Sequence, residues 1–98
     1  NCYNLFFMIG KNMAADYEKL AAENQGTGFN IAEVDATVDT GLGQRFQVKG
    51  YPTVLFLKDG TVYRHASGRT VAALTEFMDT GYKTAESFPL PLASMHLT

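Results

Sequence analysis

The chain has 98 residues, of which 46% are hydrophobic and 18% are charged, so it can bury the core of one globular domain but not of two. Its 8 basic and 10 acidic residues give a net charge of −2 and are spread along the chain, which argues against a surface that binds nucleic acid or anionic lipid. The single cysteine, Cys2, excludes an internal disulfide, a cysteine-rich metal site and a Cys-x-x-Cys redox couple.

The first third of the chain predicts a strand, a helix and a second strand. An aromatic and apolar run over residues 3–9 ends at Gly10 and has the length of a buried strand. From Lys11 to Asn24 the apolar residues recur at helical spacing with charged residues between them, which predicts a helix. Residues 29–34 follow a glycine break and carry aromatic and β-branched side chains, as strands do. This succession implies a right-handed crossover between two parallel strands.

The middle of the chain predicts a short helix followed by a hairpin. A weak helical pattern runs from Asp39 to Phe46, with Asp39 as its candidate N-cap and two glycines that lower the helix propensity. Residues 53–57 and 61–65 predict two short strands. Asp59-Gly60 between them favours a tight turn, because both residues tolerate positive φ, so we expect an antiparallel hairpin.

The last third of the chain predicts a helix and an extended tail. Thr70 is a candidate N-cap for a helix with an apolar face, and Gly81 is expected to end that helix. Residues 82–98 contain Pro89 and Pro91 and show no helical period, which indicates an extended strap or linker. We therefore divide the chain into a domain over residues 1–82 and an extended C-terminal tail or linker over residues 83–98.

The predicted elements follow one another in the order β-α-β-α-β-β-α. This order predicts an α/β fold in which a four-stranded mixed sheet has helices on both faces. The first two strands should be parallel, and the hairpin should be antiparallel to its neighbours.

Three motifs stand out in the second half of the chain. They are Val34-Asp35-Ala36-Thr37, residues 45–60 with Gly50-Tyr51-Pro52-Thr53 near their middle, and Ser67-Gly68-Arg69-Thr70. Together they closely resemble a catalytic-type domain of the protein disulfide isomerase family, and a few details are similar to its transmembrane thioredoxin-related members. Residues 11–20 resemble the helix that follows the active-site dithiol of this family. The resemblance covers residues 5–82 and implies the thioredoxin fold.

Pro52 stands just before an apolar strand, a place where proline is tolerated because it has no N–H to donate to the sheet. In the family that the sequence resembles, the proline at this place is cis and lies beside the dithiol. It leaves the backbone of the preceding residue free to pair with an extended peptide. The resemblance therefore implies that Tyr51, Pro52 and Thr53 bind peptide by strand addition. The alternative is that Pro52 only shapes a turn.

The dithiol itself is absent. The family's chemistry needs a thiolate at a helix N-terminus, where the helix dipole lowers the thiol pKa, and a second cysteine three residues on. In an alignment without gaps, these positions fall on Phe7 and Gly10, with Met8 and Ile9 between them. If the strand through Phe7 is instead the family's central strand, a short loop that holds the whole motif is missing between Met8 and Lys11. We favour this second alignment, because a folded sheet needs its central strand.

Three further polar residues are candidates for a functional site. Arg69 matches a loop arginine that, in the family, modulates the pKa of the active-site cysteine; the alternative is an ordinary exposed cation near a helix. His65 and His96 are far apart in the sequence and have no cysteine or carboxylate at ligand spacing. We therefore expect no metal site and no cofactor.

We interpret the chain as a protein disulfide isomerase-like domain that is redox-inactive as it stands and binds extended or unfolded polypeptide beside Pro52. This is a chaperone-like role in protein folding. The alternative is a thiol–disulfide oxidoreductase or isomerase whose dithiol loop is missing from this chain, and a purely structural role in assembly is a third interpretation. The resemblance implies the lumen of the endoplasmic reticulum. We expect no nucleic-acid partner, and membrane contact only through a segment beyond this chain.

Overall fold

The structure is a computed structural model and describes residues 4–11, 14–26, 28–35 and 40–91. The helices and strands, in chain order, are β1 (Leu5–Gly10), α1 (Ala14–Glu23), β2 (Asn30–Asp35), α2 (Thr40–Arg45), β3 (Thr53–Lys58), β4 (Thr61–His65), α3 (Val71–Asp79), a 3₁₀ helix (Gly81–Thr84) and β5 (Ser87–Pro89). Cys2, the candidate N-cap Asp39 and residues 92–98, with His96, lie outside the described residues. None of the described helices is both long enough and apolar enough to cross a lipid bilayer.

The strands form one mixed sheet in the order β2-β1-β3-β4-β5. β1 runs through its interior, parallel to β2 and antiparallel to β3, as the predicted crossover requires. β3 and β4 form the predicted antiparallel hairpin, whose turn holds Asp59 at φ 53° and Gly60 at φ 78°. Within the described part of the chain, β2 and β5 are the two edges of the sheet.

The sheet has five strands, so the prediction of four was one strand short. β5 comes from the predicted tail and pairs antiparallel with β4. Two backbone hydrogen bonds flank it: the Arg64 N–H donates to the Glu86 carbonyl oxygen and the Leu90 N–H donates to the Gly60 carbonyl oxygen, each at 2.9 Å. A three-residue strand that ends in proline is too short to show a period of two in the sequence. The sheet therefore extends past residue 82, where the sequence placed the boundary of the domain.

The sheet buries apolar side chains on both faces, which explains why helices cover both. Phe6 and Phe56 are fully buried on one face, together with Leu74 of α3 and Leu20 of α1. The other face holds a second cluster of four buried residues: Ile9, Phe46, Leu55 and Val62. Phe46 comes directly after α2 and brings that short helix onto this face. Because successive side chains of a strand point to opposite faces, β1 contributes to both clusters.

The ends of the helices agree with the sequence in part. Thr70 caps α3 as predicted, because its hydroxyl oxygen accepts a hydrogen bond of 3.1 Å from the Ala73 N–H. α3 ends at Asp79 rather than at Gly81, and the chain continues directly into the 3₁₀ helix. The described part of α1 spans Ala14–Glu23, within the predicted range of residues 11–24.

Candidate functional site

The candidate site lies where β1 ends and β3 begins. The antiparallel register pairs Ile9 with Thr53, the first residue of β3. Continuing that register places Pro52 beside Gly10, at the end of β1, close to Lys11. The sheet thus brings the proline segment next to the residues that lead from β1 toward α1, although these parts lie about forty residues apart in the sequence.

The segment that enters β3 makes a sharp bend. Its Tyr51–Pro52 peptide bond is cis. The hydroxyl of Thr53 donates a hydrogen bond to the carbonyl oxygen of Gly50, which ties the first residue of the strand back across the proline. Tyr51, Pro52 and Thr53, the three predicted peptide-binding residues, are therefore contiguous at one corner of the sheet.

Tyr51 stands out from this corner. Its exposed fraction is 48%, the largest among the bulky apolar side chains of the described residues. The Nζ atom of Lys11 lies 5.2 Å from the centroid of its ring. Its hydroxyl approaches α2, where a Cβ added at Gly43 would lie 3.8 Å from the hydroxyl oxygen. No backbone hydrogen bond joins the N–H or carbonyl group of Tyr51 to another described residue.

The four residues of the degenerate dithiol region lie in β1. Met8 and Ile9 are buried, with exposed fractions of 1% and 2%, and Phe7 is half-buried. A side chain at these positions belongs to a central strand rather than to the first turn of a helix.

Arg69 is exposed in the loop before α3. It lines an open pocket of about 410 Å³ beside α1. The helix contributes Asp16, Lys19 and Glu23 to this pocket, and Met8 is part of its floor. Arg69 thus shares a pocket with Met8, one of the four residues of the degenerate dithiol region. Its influence on a thiol at that region stays a prediction.

His65 is a buried structural residue. Its exposed fraction is 7%, and its Nε2–H donates a hydrogen bond of 2.6 Å to the carbonyl oxygen of Gly68. Its ring packs edge-on against Phe77 of α3, with centroids 4.7 Å apart. His65 thus ties the end of β4 to the loop that carries Arg69. In the part of the chain that the structure describes, no group of three or more His, Cys, Asp or Glu side chains is placed to hold a metal ion.

Sequence reasoning missed two residues that shape the corner. Lys11 was assigned to the predicted helix, yet its ammonium group lies over the Tyr51 ring. Gly43, one of the two glycines that lower the helix propensity of α2, lies near the Tyr51 hydroxyl, and a Cβ added there would be at an ordinary van der Waals distance of 3.8 Å. The proximity of Lys11 to Tyr51 could have been inferred from its position directly after the strand that pairs with β3. Nothing in the sequence indicates the proximity of Gly43.

Comparison with known proteins agrees with this geometry. The thioredoxin family model matches residues 9–80, from the end of β1 to the residue after α3. The chain belongs to the thioredoxin family. A thioredoxin domain-containing protein of Theileria parva is 42% identical over 82 residues, which are 83% of this chain and 37% of that protein. The probable protein disulfide-isomerase A4 of Caenorhabditis elegans is 39% identical over 71 residues, or 71% of this chain and 11% of that protein.

Solved structures show the same fold. The first thioredoxin domain of mouse protein disulfide-isomerase A4 has a TM-score of 0.61 and 27% sequence identity, over 76% of this chain and 63% of that domain. Human ERp44 in its zinc-bound form, at 16% identity and a TM-score of 0.56, shares the fold, over 78% of this chain and 26% of that protein. The predicted thioredoxin fold and the resemblance to protein disulfide isomerases are thereby confirmed. This thioredoxin-family chain spans between a tenth and two fifths of the length of the curated relatives named above.

Proposed function

We propose that this thioredoxin-family domain binds extended or unfolded polypeptide at the proline corner (Tyr51, Pro52 and Thr53) and carries out no thiol–disulfide exchange in this form. The observation that supports binding is Tyr51, an exposed aromatic residue whose backbone groups make no hydrogen bond to other described residues, at the head of an interior strand. Redox inactivity follows from chemistry, because a two-electron exchange cycle needs two thiols and the sequence has one cysteine.

The main contribution to peptide binding would come from backbone hydrogen bonds. The N–H and carbonyl groups of Tyr51 can pair with an extended segment, which supplies affinity without requiring one sequence. Pro52 has no N–H, so it cannot extend the β3 ladder backward and leaves the position before it available. The ring of Tyr51 offers apolar area to the bound chain. One short pairing and one aromatic contact support weak binding, as a domain that meets many unfolded chains requires.

The test is a titration of a fluorescein-labelled unfolded peptide. Tyr51→Asp should weaken binding at least about tenfold, or about 1.4 kcal/mol, because it removes the aromatic contact and puts a charge against apolar peptide groups. Tyr51→Phe keeps the ring and should bind within about twofold of the unchanged domain. Lys83→Asp adds a negative side chain at an exposed residue of the 3₁₀ helix and should leave binding unchanged.

Thermal unfolding of each variant shows that the fold is intact. Binding that survives in Tyr51→Asp, or the absence of binding in the unchanged domain at any concentration, would contradict the proposal. An insulin-reduction assay on the same preparation should give no turnover above the dithiothreitol background, and measurable turnover would contradict redox inactivity.

A second candidate function is thiol–disulfide exchange by a form of the protein that contains the dithiol loop. Two observations favour it: β1 is complete through Gly10 and α1 is in place, and relatives of the chain carry the name protein disulfide-isomerase. In that reaction two thiols of the domain are oxidised to a disulfide while a substrate disulfide is reduced to two thiols. The inserted loop would need to carry both cysteines between Gly10 and Lys11.

This candidate is tested by insertion. A Cys-x-x-Cys segment placed between Gly10 and Lys11 should give insulin reduction above background, with dithiothreitol reducing the domain again after each cycle. A matched insertion with both cysteines replaced by serine should not. A Cys-x-x-Cys insertion that folds and remains inactive would count against this function, and sequencing the natural transcript across this point would show whether such a form exists.

The proposed location is the lumen of the endoplasmic reticulum, where unfolded chains need such binding. The support is the similarity to protein disulfide isomerases. Immunofluorescence with a lumenal marker tests it, and a cytosolic pattern would contradict it.

A further inference from the structure

The proline corner is flanked by basic side chains. The ammonium nitrogen of Lys11 lies 5.2 Å from the centre of the Tyr51 ring, so a peptide paired with the Tyr51 backbone would pass close to it. Lys49, two residues before Tyr51, is exposed as well. The acidic residue Asp35, on β2, pairs with Gly10 of β1, on the side of β1 that faces away from β3.

The Lys11 ammonium beside Tyr51 is opposite in sign to the net charge of the whole chain. The net charge of −2 would, by itself, favour basic ligands slightly. At physiological ionic strength, however, charges interact mainly within a Debye length of about 8 Å, so the ammonium group that lies over the Tyr51 ring acts on a ligand at the corner more strongly than distant charges do. A preference for acidic ligands would therefore come from the corner and not from the overall field of the domain.

We infer that the proline corner selects extended polypeptide segments that carry carboxylate side chains, and that Lys11 is the residue that sets this selectivity. The inference rests on the proposed peptide binding and specifies its ligand class. The Lys11 ammonium contacts the π face of Tyr51 and keeps its outer side toward solvent, where an aspartate or glutamate of the bound segment can pair with it. Lys11 then pairs with a carboxylate of the ligand, and Tyr51 contacts an apolar part of the same ligand.

The experiment compares three labelled peptides of equal length and equal apolar content, with two Glu, two Gln or two Lys at the same positions. The Glu peptide should bind about two- to fivefold more tightly than the Gln peptide, the range expected for an exposed ion pair, and the Lys peptide should bind most weakly. Lys11→Gln should remove the difference between the peptides, whereas Lys11→Arg should keep it. Lys83→Gln, which removes an exposed lysine on the 3₁₀ helix, should leave the ranking unchanged.

Raising the salt concentration to about 0.5 M should also remove the ranking, because exposed ion pairs are screened. Equal binding of all three peptides, or a preference that persists in Lys11→Gln, would overturn the inference while leaving peptide binding in place. The absence of binding for every peptide would overturn the proposed function, and the ligand preference with it. Thermal unfolding of the Lys11 variants shows that the comparison is made on folded protein.

Discussion

The surroundings of Tyr51 are set by Pro52, which follows it, and by two residues that lie near its side chain. Because Pro52 has no N–H, the β3 ladder starts only at Thr53, and the residue before the proline stays outside the sheet. Lys11 covers one face of the tyrosine ring, and the hydroxyl lies near Gly43. An alanine at position 43 would make only ordinary van der Waals contact with that hydroxyl, so the orientation of Tyr51 tolerates this small change.

A single hydroxyl caps α3. Thr70→Ala removes the acceptor for the Ala73 N–H and should lower the free energy of unfolding by about 1 kcal/mol, which lowers Tm by roughly 5 °C for a domain of this size. Thr70→Ser keeps the cap and should stay close to the unchanged protein. Scanning calorimetry measures both, and equal Tm values for the two variants would show that the cap does not contribute.

At the scale of elements, Arg64 connects three parts of the chain on the α2 face. Its guanidinium donates to the Glu86 carboxylate at 3.2 Å and to the Gln47 carbonyl oxygen at 3.1 Å. The same group lies 6.0 Å from the centre of the Phe88 ring. One half-buried side chain thus links the turn after α2, strand β4 and the segment that forms β5. The short edge strand therefore does not depend on its few backbone hydrogen bonds alone.

β5 should contribute to stability through Phe88 in particular. Phe88 packs against the cluster of Ile9, Leu55 and Val62, whereas Ser87 in the same strand is exposed. Phe88→Ala should lower the free energy of unfolding by about 1–3 kcal/mol, less than for a fully buried phenylalanine.

Ser87→Ala is the matched control for this strand and should change stability by less than about 0.5 kcal/mol. Urea unfolding followed by circular dichroism measures both variants. If Phe88→Ala were as neutral as Ser87→Ala, β5 would be an appended segment, in agreement with the predicted domain boundary at residue 82.

At the scale of the whole molecule, the order of elements follows from local signals. A few neighbouring residues specify each of three features: the positive φ at Asp59 and Gly60, the cap at Thr70 and the strand that ends at Gly10. The right-handed crossover then leaves one compact arrangement of these elements. This is why the interior of the sheet and the antiparallel hairpin were predictable.

The missed features depend on contacts between distant parts of the chain. β5 is stabilised by the packing of Phe88 against a cluster of residues from β1, β3 and β4. A three-residue strand is too short to produce a strand pattern in the sequence. The approach of Lys11 to Tyr51 depends on the register of β1 against β3, which no single-sequence signal specifies. Tyr51, Pro52 and Thr53 were identified as a group from the resemblance, but the lysine beside them needed the structure.

The β2 edge has a consequence for solubility. β2 is six residues long, and among the described residues only β1 pairs with it. The unpaired backbone groups of such an edge can pair with a strand of a neighbouring molecule, which is the first step toward aggregation. Glu33 and Asp35 are both exposed on it. A second copy docking along this strand would bring like charges close together in one short seam, and their repulsion disfavours such pairing.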